Sequence, residues 1–376
     1  MTEIWNRLYD AFASVTDPRV DTTKHHSLID IISIAICAVI CGADSWVAIE
    51  TFGKAKQSWL EHYLALPNGI PSHDTFGRVF AALDAAEFQE HFICWVRAIW
   101  PAELGEIISV DGKTLRGSHD RAIGKAAIHL VSVWAQHSRL VLAQRAVDTK
   151  SNEITAIPAV LKLLDLTNCT VTIDAMGCQT AIARQIVEGG GEYVLAVKAN
   201  QEQLHSDIVD TFHYAADDGW KDVASSHTQT VEAGHGRVET RDYWLITEPD
   251  DLRFLNPKGV WRNVGAIGMV VRQRTIGGVT SEETGYYLLS GTPTVEHFAR
   301  AVRGHWGIEN QVHWVMDVTF HEDASRIRTG DGAVNFALLR HIALNLLRRD
   351  TSAGSLRTKR FRAALDDSYL LQVLQA

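Results

Sequence analysis

The strongest constraint on the fold is a change of hydrophobic period near residue 104. Before it, apolar residues recur at helical spacing. After it come short β-favouring runs, Ile107-Ile108-Ser109-Val110, Ile128 to Trp134 and Leu140 to Val147. The pattern then predicts a helix over Asn152 to Asp165, a strand over Thr170 to Ile173, a helix near Gln179 to Val187 and a strand over Tyr193 to Val197. Strands first, followed by β-α-β alternation, predict a mixed α/β sheet.

The flanks read differently. In residues 1–100, Leu28 to Cys41 is an apolar helical segment that breaks at Gly42-Ala43-Asp44, and Ser45 is placed to cap a helix running to about Ser58. Ser72 and Asp74 are cap candidates for a helix whose Phe76, Val79, Phe80 and Leu83 form one buried stripe, with Arg78 off it. Between 220 and 290, Val238 to Ile246, Val264 to Arg272 and Thr284 to Leu289 read as strands of an inserted β unit. Helical patterning returns over Val295 to Met316 and Ala333 to Leu347. The expected organisation is a helical region over 1–100, a first sheet-bearing part over 101–215, a β-rich insertion over 216–292, a helical remainder over 293–350 and a basic C-terminal tail over 351–376.

Composition removes several classes. With 376 residues, 46% hydrophobic and 22% charged, the chain is neither disordered, collagenous nor a coiled coil. Its five cysteines form no CxxC pair, so no disulfide framework or cysteine zinc site is expected, and a reducing, cytoplasmic compartment is. The most apolar run, Ile31 to Ala43, is too short to span a bilayer, so no membrane association is expected. A net charge of −9 argues against coating nucleic acid through bulk basicity. Locally the balance reverses: residues 326–362 hold nine Lys and Arg against two acids, a cluster suited to backbone phosphate.

Two aspartates fall directly after strands, Asp111 after Val110 and Asp174 after Ile173. If those strands are neighbours, the carboxylates converge, an arrangement suited to a divalent cation. The competing reading is turn chemistry, since Asp111-Gly112 is also a turn signal. In the later helix, at about 100° per residue, Val302, His305, Glu309, His313 and Met316 fall within roughly 40° of one line. A Glu on such a face must be paired, protonated or metal-bound if buried; otherwise it lies at an exposed rim.

These residues sit in segments that resemble a known family. Leu66-Pro67-Asn68-Gly69-Ile70-Pro71-Ser72-His73-Asp74-Thr75-Phe76, Val110-Asp111-Gly112-Lys113-Thr114-Leu115-Arg116-Gly117-Ser118, Thr172 to Met176, His235 to Arg241, His305 to Trp314 and Asp317 to Asp323 resemble the H-repeat-associated family of insertion-sequence DDE transposases. The resemblance implies an RNase H-like α/β catalytic core, interrupted by the β-rich stretch, in which Asp111, Asp174 and Glu309 hold two Mg²⁺ or Mn²⁺ ions. It implies hydrolysis and strand transfer at the terminal inverted repeats of double-stranded DNA, by a homodimer that pairs two ends. Related transposases carry Tyr, Arg and Lys at seven before, four before and seven after the Glu; here Val302, His305 and Met316 stand there. His305 replaces the Arg only when protonated.

Expected DNA contacts are Thr75 and Arg78 in the N-terminal region, Lys113, Arg237 and Arg241 on one strand face, and His305, Asn310, His313, Arg326 and Arg328 around and after the Glu. Two other readings compete: a zinc hydrolase using His305, Glu309 and His313, which lacks HExxH spacing and leaves both aspartates unexplained, and a DNA-binding derivative that no longer cuts.

Overall fold

The computed structural model describes residues 3–100, 105–119, 124, 126–147, 153–221, 223–234 and 236–376. Asn152, expected in a helix, and His235, part of one motif, lie outside the described residues. Nine strands, β1 (Ile107–Thr114), β2 (His129–Ala135), β3 (Leu140–Val147), β4 (Thr170–Ile173), β5 (Glu192–Val197), β6 (Ser225–Gly234), β7 (Arg237–Ile246), β8 (Val264–Ile276) and β9 (Val279–Ser290), form a mixed sheet in the order β3-β2-β1-β4-β5-β9-β8-β7-β6. The helices are α1 (Glu3–Phe12), α2 (Leu28–Ile40), α3 (Trp46–Ala55), α4 (Gln57–Leu60), α5 (His73–Ala82), α6 (Ala85–Ile99), α7 (Glu153–Leu161), α8 (Thr180–Glu188), α9 (Glu202–Asp217), α10 (Pro249–Leu255), α11 (Val295–Ile308), α12 (Trp314–Val318), α13 (Gly332–Arg349), α14 (Leu356–Leu365) and α15 (Asp367–Leu374). The chain divides into a helical unit, Met1–Pro101, Gly112–Asn152 and Glu309–Ala376, and a sheet unit, Ala102–Asp111 and Glu153–Ile308.

In the helical unit α2, apolar along nearly its whole length, and α13, which carries Asn335, Arg340, His341 and Asn345 among its apolar residues, are buried on nearly every side. Inside α13 the Asn345 side chain bonds both the N–H and the C=O of Val141, at 2.9 Å each, whereas Arg340, His341 and Arg348 keep buried nitrogens without a hydrogen-bond partner. Asn335 donates to the carbonyls of Phe80 and Leu83 at 2.8 Å. The caps expected at Ser45 and Ser72 form, with Ser45 Oγ accepting from Ala48 N and Ser72 Oγ from Thr75 N. No described helix is long and apolar enough to cross a membrane.

The C-terminal stretch expected as a basic tail is instead α14 and α15, capped by Ser355 and Asp366. Most of the basic cluster over 326–362 is turned inward. Arg340, Arg348 and Arg360 lie over the rings of Phe336, Trp134 and Phe320 at 4.2–4.5 Å, while Arg362, over the Tyr369 ring at 4.0 Å, stays exposed. Arg349 donates to the carbonyls of Ala376 and Ile99, and Lys359 pairs with Asp350 at 3.1 Å. Guanidinium groups serve here as aromatic-stacking and carbonyl-satisfying groups, so the linear charge count overstates the charge offered to DNA.

In the sheet unit β1 runs parallel to β4, and β4 parallel to β5. The β-rich stretch does not stand apart as an insertion: β9 pairs antiparallel with β5, Val194 opposite Leu289, and β9, β8, β7 and β6 extend the same sheet as an antiparallel meander. Helix α11 lies on it, with Val295, Phe298, Ala299, Ala301 and Val302 packed among Tyr243, Leu245, Ala266, Val270 and Leu289. Gly268 makes room for the Phe298 ring, where a Cβ would overlap it.

Candidate active site

The register Val110↔Ile173 puts Asp111 and Asp174 next in line on neighbouring parallel strands, about 4.8 Å apart in strand spacing. Side chains two apart on a strand share a face, so Asp111 lies on the face of Ser109, and Asp174 on that of Thr172. That face carries α11. Ser109 Oγ donates to the Gly304 carbonyl (3.5 Å), and Thr172 Oγ1 meets Ser109 Oγ and His305 Nδ1 at 3.1 Å each. His305 is therefore turned onto the sheet. Asp174 also caps a short 3-10 turn, its Oδ1 accepting from the N–H groups of Met176 (3.1 Å) and Gly177 (3.3 Å), which fixes the carboxylate.

Glu309 follows Ile308, the last residue of α11, and opens a five-residue π-helix, Glu309–His313, before α12 resumes α geometry. The sequence predicts one continuous helix from Val295 to Met316; the π turn inserts an i→i+5 step that changes the phase at the Glu. Glu309 is consequently no buried anion, since its side chain is 57% exposed, while His313 is 8% exposed with Nδ1 at 3.8 Å from Glu309 Oε2. Glu309 and His313 form a pair of donors across the π turn, while Asp111 lies on β1 alongside Asp174. Asp174 stands on the strand adjacent to that of Asp111, and His305, on α11, is turned to Thr172. Carboxylate oxygens suit a divalent cation of the Mg²⁺ or Mn²⁺ kind, whereas an imidazole donor is more usual for zinc and the later transition metals.

Lys113, expected as a DNA contact, has another role. Its Nζ lies 2.5 Å from Asp317 and 2.8 Å from Glu322, and it donates to the His313 carbonyl at 3.4 Å. It thereby ties the end of the π turn to strand β1. Burial alone would lower the Lys113 pKa, but Glu322 and Asp317 hold it above its ordinary value. Burial would likewise raise Glu322, yet Lys113 and then Arg340 keep it below the usual carboxylate range. Two of the motifs read from the sequence meet here, 110–118 and 317–323. Gly117 permits the contact, because a Cβ there would overlap the Ser325 carbonyl.

Other expected contacts separate into two groups. Arg78, Arg326 and Arg328 line one cleft of about 530 Å³ with Trp46 and His73. The cleft is held shut at its base by Asp331 N donating to the Ala81 carbonyl at 3.0 Å. Thr75 does not line it; its hydroxyl pairs with Ser72 Oγ at 3.1 Å. In the meander, Arg237 pairs with Glu239 at 3.1 Å, and Arg241, nearly buried, pairs with Glu239 and with Glu232 at 3.2 Å. Of these, only the Arg241–Glu232 pair crosses strands, from β7 to β6; the two Glu239 pairs lie within β7.

Comparison with known proteins follows the same lines. Residues 9–96 match the DDE_Tnp_1-associated family and residues 103–346 the transposase DDE domain family. The chain is 40% identical over 375 residues to YncI of Escherichia coli O157:H7, named among the transposases, covering 98% of this chain and 94% of that protein. It is 38% identical over 376 residues to YhhI of Escherichia coli K12, an H repeat-associated protein also named among the transposases, covering 98% and 97%. Among solved structures, a piggyBac transposase synaptic complex with hairpin DNA aligns at a TM-score of 0.39 and 12% identity, covering 100% of this chain and 80% of that one.

Proposed function

Because the chain belongs to the transposase DDE domain family, we propose that it binds the terminal inverted repeats of an insertion sequence and catalyses phosphodiester hydrolysis and strand transfer with two Mg²⁺ or Mn²⁺ ions. An RNase H-like core and a homodimer that pairs two double-stranded DNA ends belong to the same proposal. One observation carries it: Asp111, within β1, and Asp174, directly after β4, fall next to each other on paired parallel strands, on the face covered by α11, the helix that leads directly into Glu309.

Asp111, Asp174 and Glu309 would hold the ions. Divalent cations bound by such carboxylates activate a hydroxyl nucleophile and stabilise the departing oxygen. The residues themselves supply fixed negative charge at a place open to a phosphodiester. Asp174 is oriented by its two backbone N–H donors. Glu309 is oriented by the π turn, whose far end Lys113 holds. Asp111 stands beside Asp174 on β1, and His313 pairs with Glu309 across the turn. DNA is guided by Arg78, Arg326 and Arg328 along their shared cleft, and Asn310 follows the Glu on the same turn.

The test is a nicking assay on a supercoiled plasmid bearing the element's own ends. Nicking supported by Mg²⁺ or Mn²⁺ and lost in Asp111→Asn fits the reading. Cleavage supported by Zn²⁺ alone favours the zinc hydrolase, for which the pairing of His313 with Glu309 is the relevant observation. Binding of the ends without cleavage in any metal identifies a binding derivative.

A further inference from the structure

A second cavity of the helical unit has no place in that reading. It encloses about 440 Å³ and is lined by Arg139, Asn310, Gln311, Arg348, Ser355 and Lys359 among others, with no carboxylate in its lining among the described residues. Arg139 projects from the turn between β2 and β3 and donates to Gln311 Oε1 at 3.2 Å. Arg348, near the end of α13, stacks on Trp134 and donates to the Gln311 carbonyl. Both guanidinium groups thus converge on one residue. The Nε and Nη1 of Arg348 are buried without any hydrogen-bond partner. Burial, followed by the charge of Arg139, pushes Arg348 down to about 9. Lys359 offers no relief and takes none, since it already pairs with Asp350.

Two cations brought together, one with orphaned buried donors and neither facing an acid in that lining, are costly until an anion arrives. Asn310 and Gln311 follow Glu309 by one and two residues, at most about 8 Å of chain. We propose that this cavity binds a backbone phosphate of the DNA strand presented to Glu309, with Arg139 and Arg348 as its donors. The occupant assigned here rests on the transposase reading; the anion site itself does not.

Two measurements on the full chain test it. The first is thermal unfolding in inorganic phosphate against chloride at matched ionic strength. The wild type gains stability in phosphate, and Arg139→Asn, which removes the charge from an exposed turn while tolerating its positive φ of 56°, does not. The second is binding of a duplex carrying the element's end with a neutral methylphosphonate placed at each backbone position in turn. One position weakens wild-type binding roughly tenfold and weakens Arg139→Asn no further. Arg348→Gln, folded by the same thermal assay, is insensitive at that same position.

Absence of any phosphate effect overturns the anion site. A phosphate effect without a coupled backbone position overturns DNA as the occupant. Failure of the wild type to bind the unmodified duplex is a different result: it removes the transposase reading and, with it, the DNA assignment, while the phosphate melt still tests the anion site.

Discussion

Replacing Lys113 by Met keeps the aliphatic stem and removes the ammonium shared by Asp317 (2.5 Å), Glu322 (2.8 Å) and the His313 carbonyl (3.4 Å). Glu322 has a side chain only 3% exposed, and its remaining cation is Arg340 at 3.7 Å. Leaving such a carboxylate under-compensated costs about 3–5 kcal/mol. Asp317 is a third exposed and adds no more than about 1 kcal/mol. The pH dependence has a definite sign. In the wild type Glu322 is held below its ordinary value, so its stabilisation is present above about 4.5 and is lost as pH falls through its lower folded value. In Lys113→Met burial raises Glu322 instead, so the residue takes up a proton as pH falls from 7 towards 5, and the deficit shrinks. Urea unfolding of the wild type, Lys113→Met, Glu322→Gln and the double variant at pH 7 and pH 5 measures this. The expected result is a deficit of about 3–5 kcal/mol at pH 7 that narrows at pH 5, with the double variant recovering at least about 2 kcal/mol of the summed single costs. An equal deficit at both pH values together with additive single costs would refute the network as described. Because Lys113 also holds the end of the Glu309–His313 turn, the same variant should nick more slowly even under conditions where it is fully folded.

Three further outcomes follow from buried polar groups and close packing. Asn345→Ala strips both partners from the Val141 backbone in a fully buried place and should cost about 2–4 kcal/mol by chemical denaturation. His341, fully buried, is pushed down to about 4 by burial, so it stays neutral in the folded protein; its contribution is lost as pH falls from 6.5 towards 4, roughly 3 kcal/mol in all. His341→Phe should flatten the stability profile over that interval, and an unchanged slope would count against the assignment. Gly117→Ala forces a Cβ onto the Ser325 carbonyl and should lower the unfolding midpoint by the equivalent of about 2 kcal/mol or more.

Much of the sheet unit is legible in the sequence because its central strands are short and rich in β-branched residues. Strand Thr170 to Ile173 is found at its full length with Asp174 directly after it, whereas Asp111, expected just past its strand, lies inside β1, which runs on to Thr114. The caps at Ser45 and Ser72 are equally local signals. Strand β6 is not legible, since it is exposed along most of its length and shows no buried alternation. The π turn at Glu309 leaves no periodic trace, as a single i→i+5 step does not alter composition. Linear charge counting misreads 326–362, because whether an arginine is solvated depends on rings and carbonyls contributed by distant segments, as Arg348 over Trp134 and Arg360 over Phe320 illustrate. The Arg139–Arg348 pairing has the same origin and could not be seen as a local motif.

Asp111, Asp174 and Glu309 are proposed to cut DNA together, and Asp174→Asn isolates that role. An asparagine Oδ1 can still accept from Met176 and Gly177, which preserves the turn while removing the charge. Gel-shift binding and Mg²⁺-dependent nicking of the same element-end plasmid are to be measured in parallel on wild type and variant. Unchanged binding with nicking abolished is the predicted result. Nicking by Asp174→Asn at the wild-type rate would contradict it.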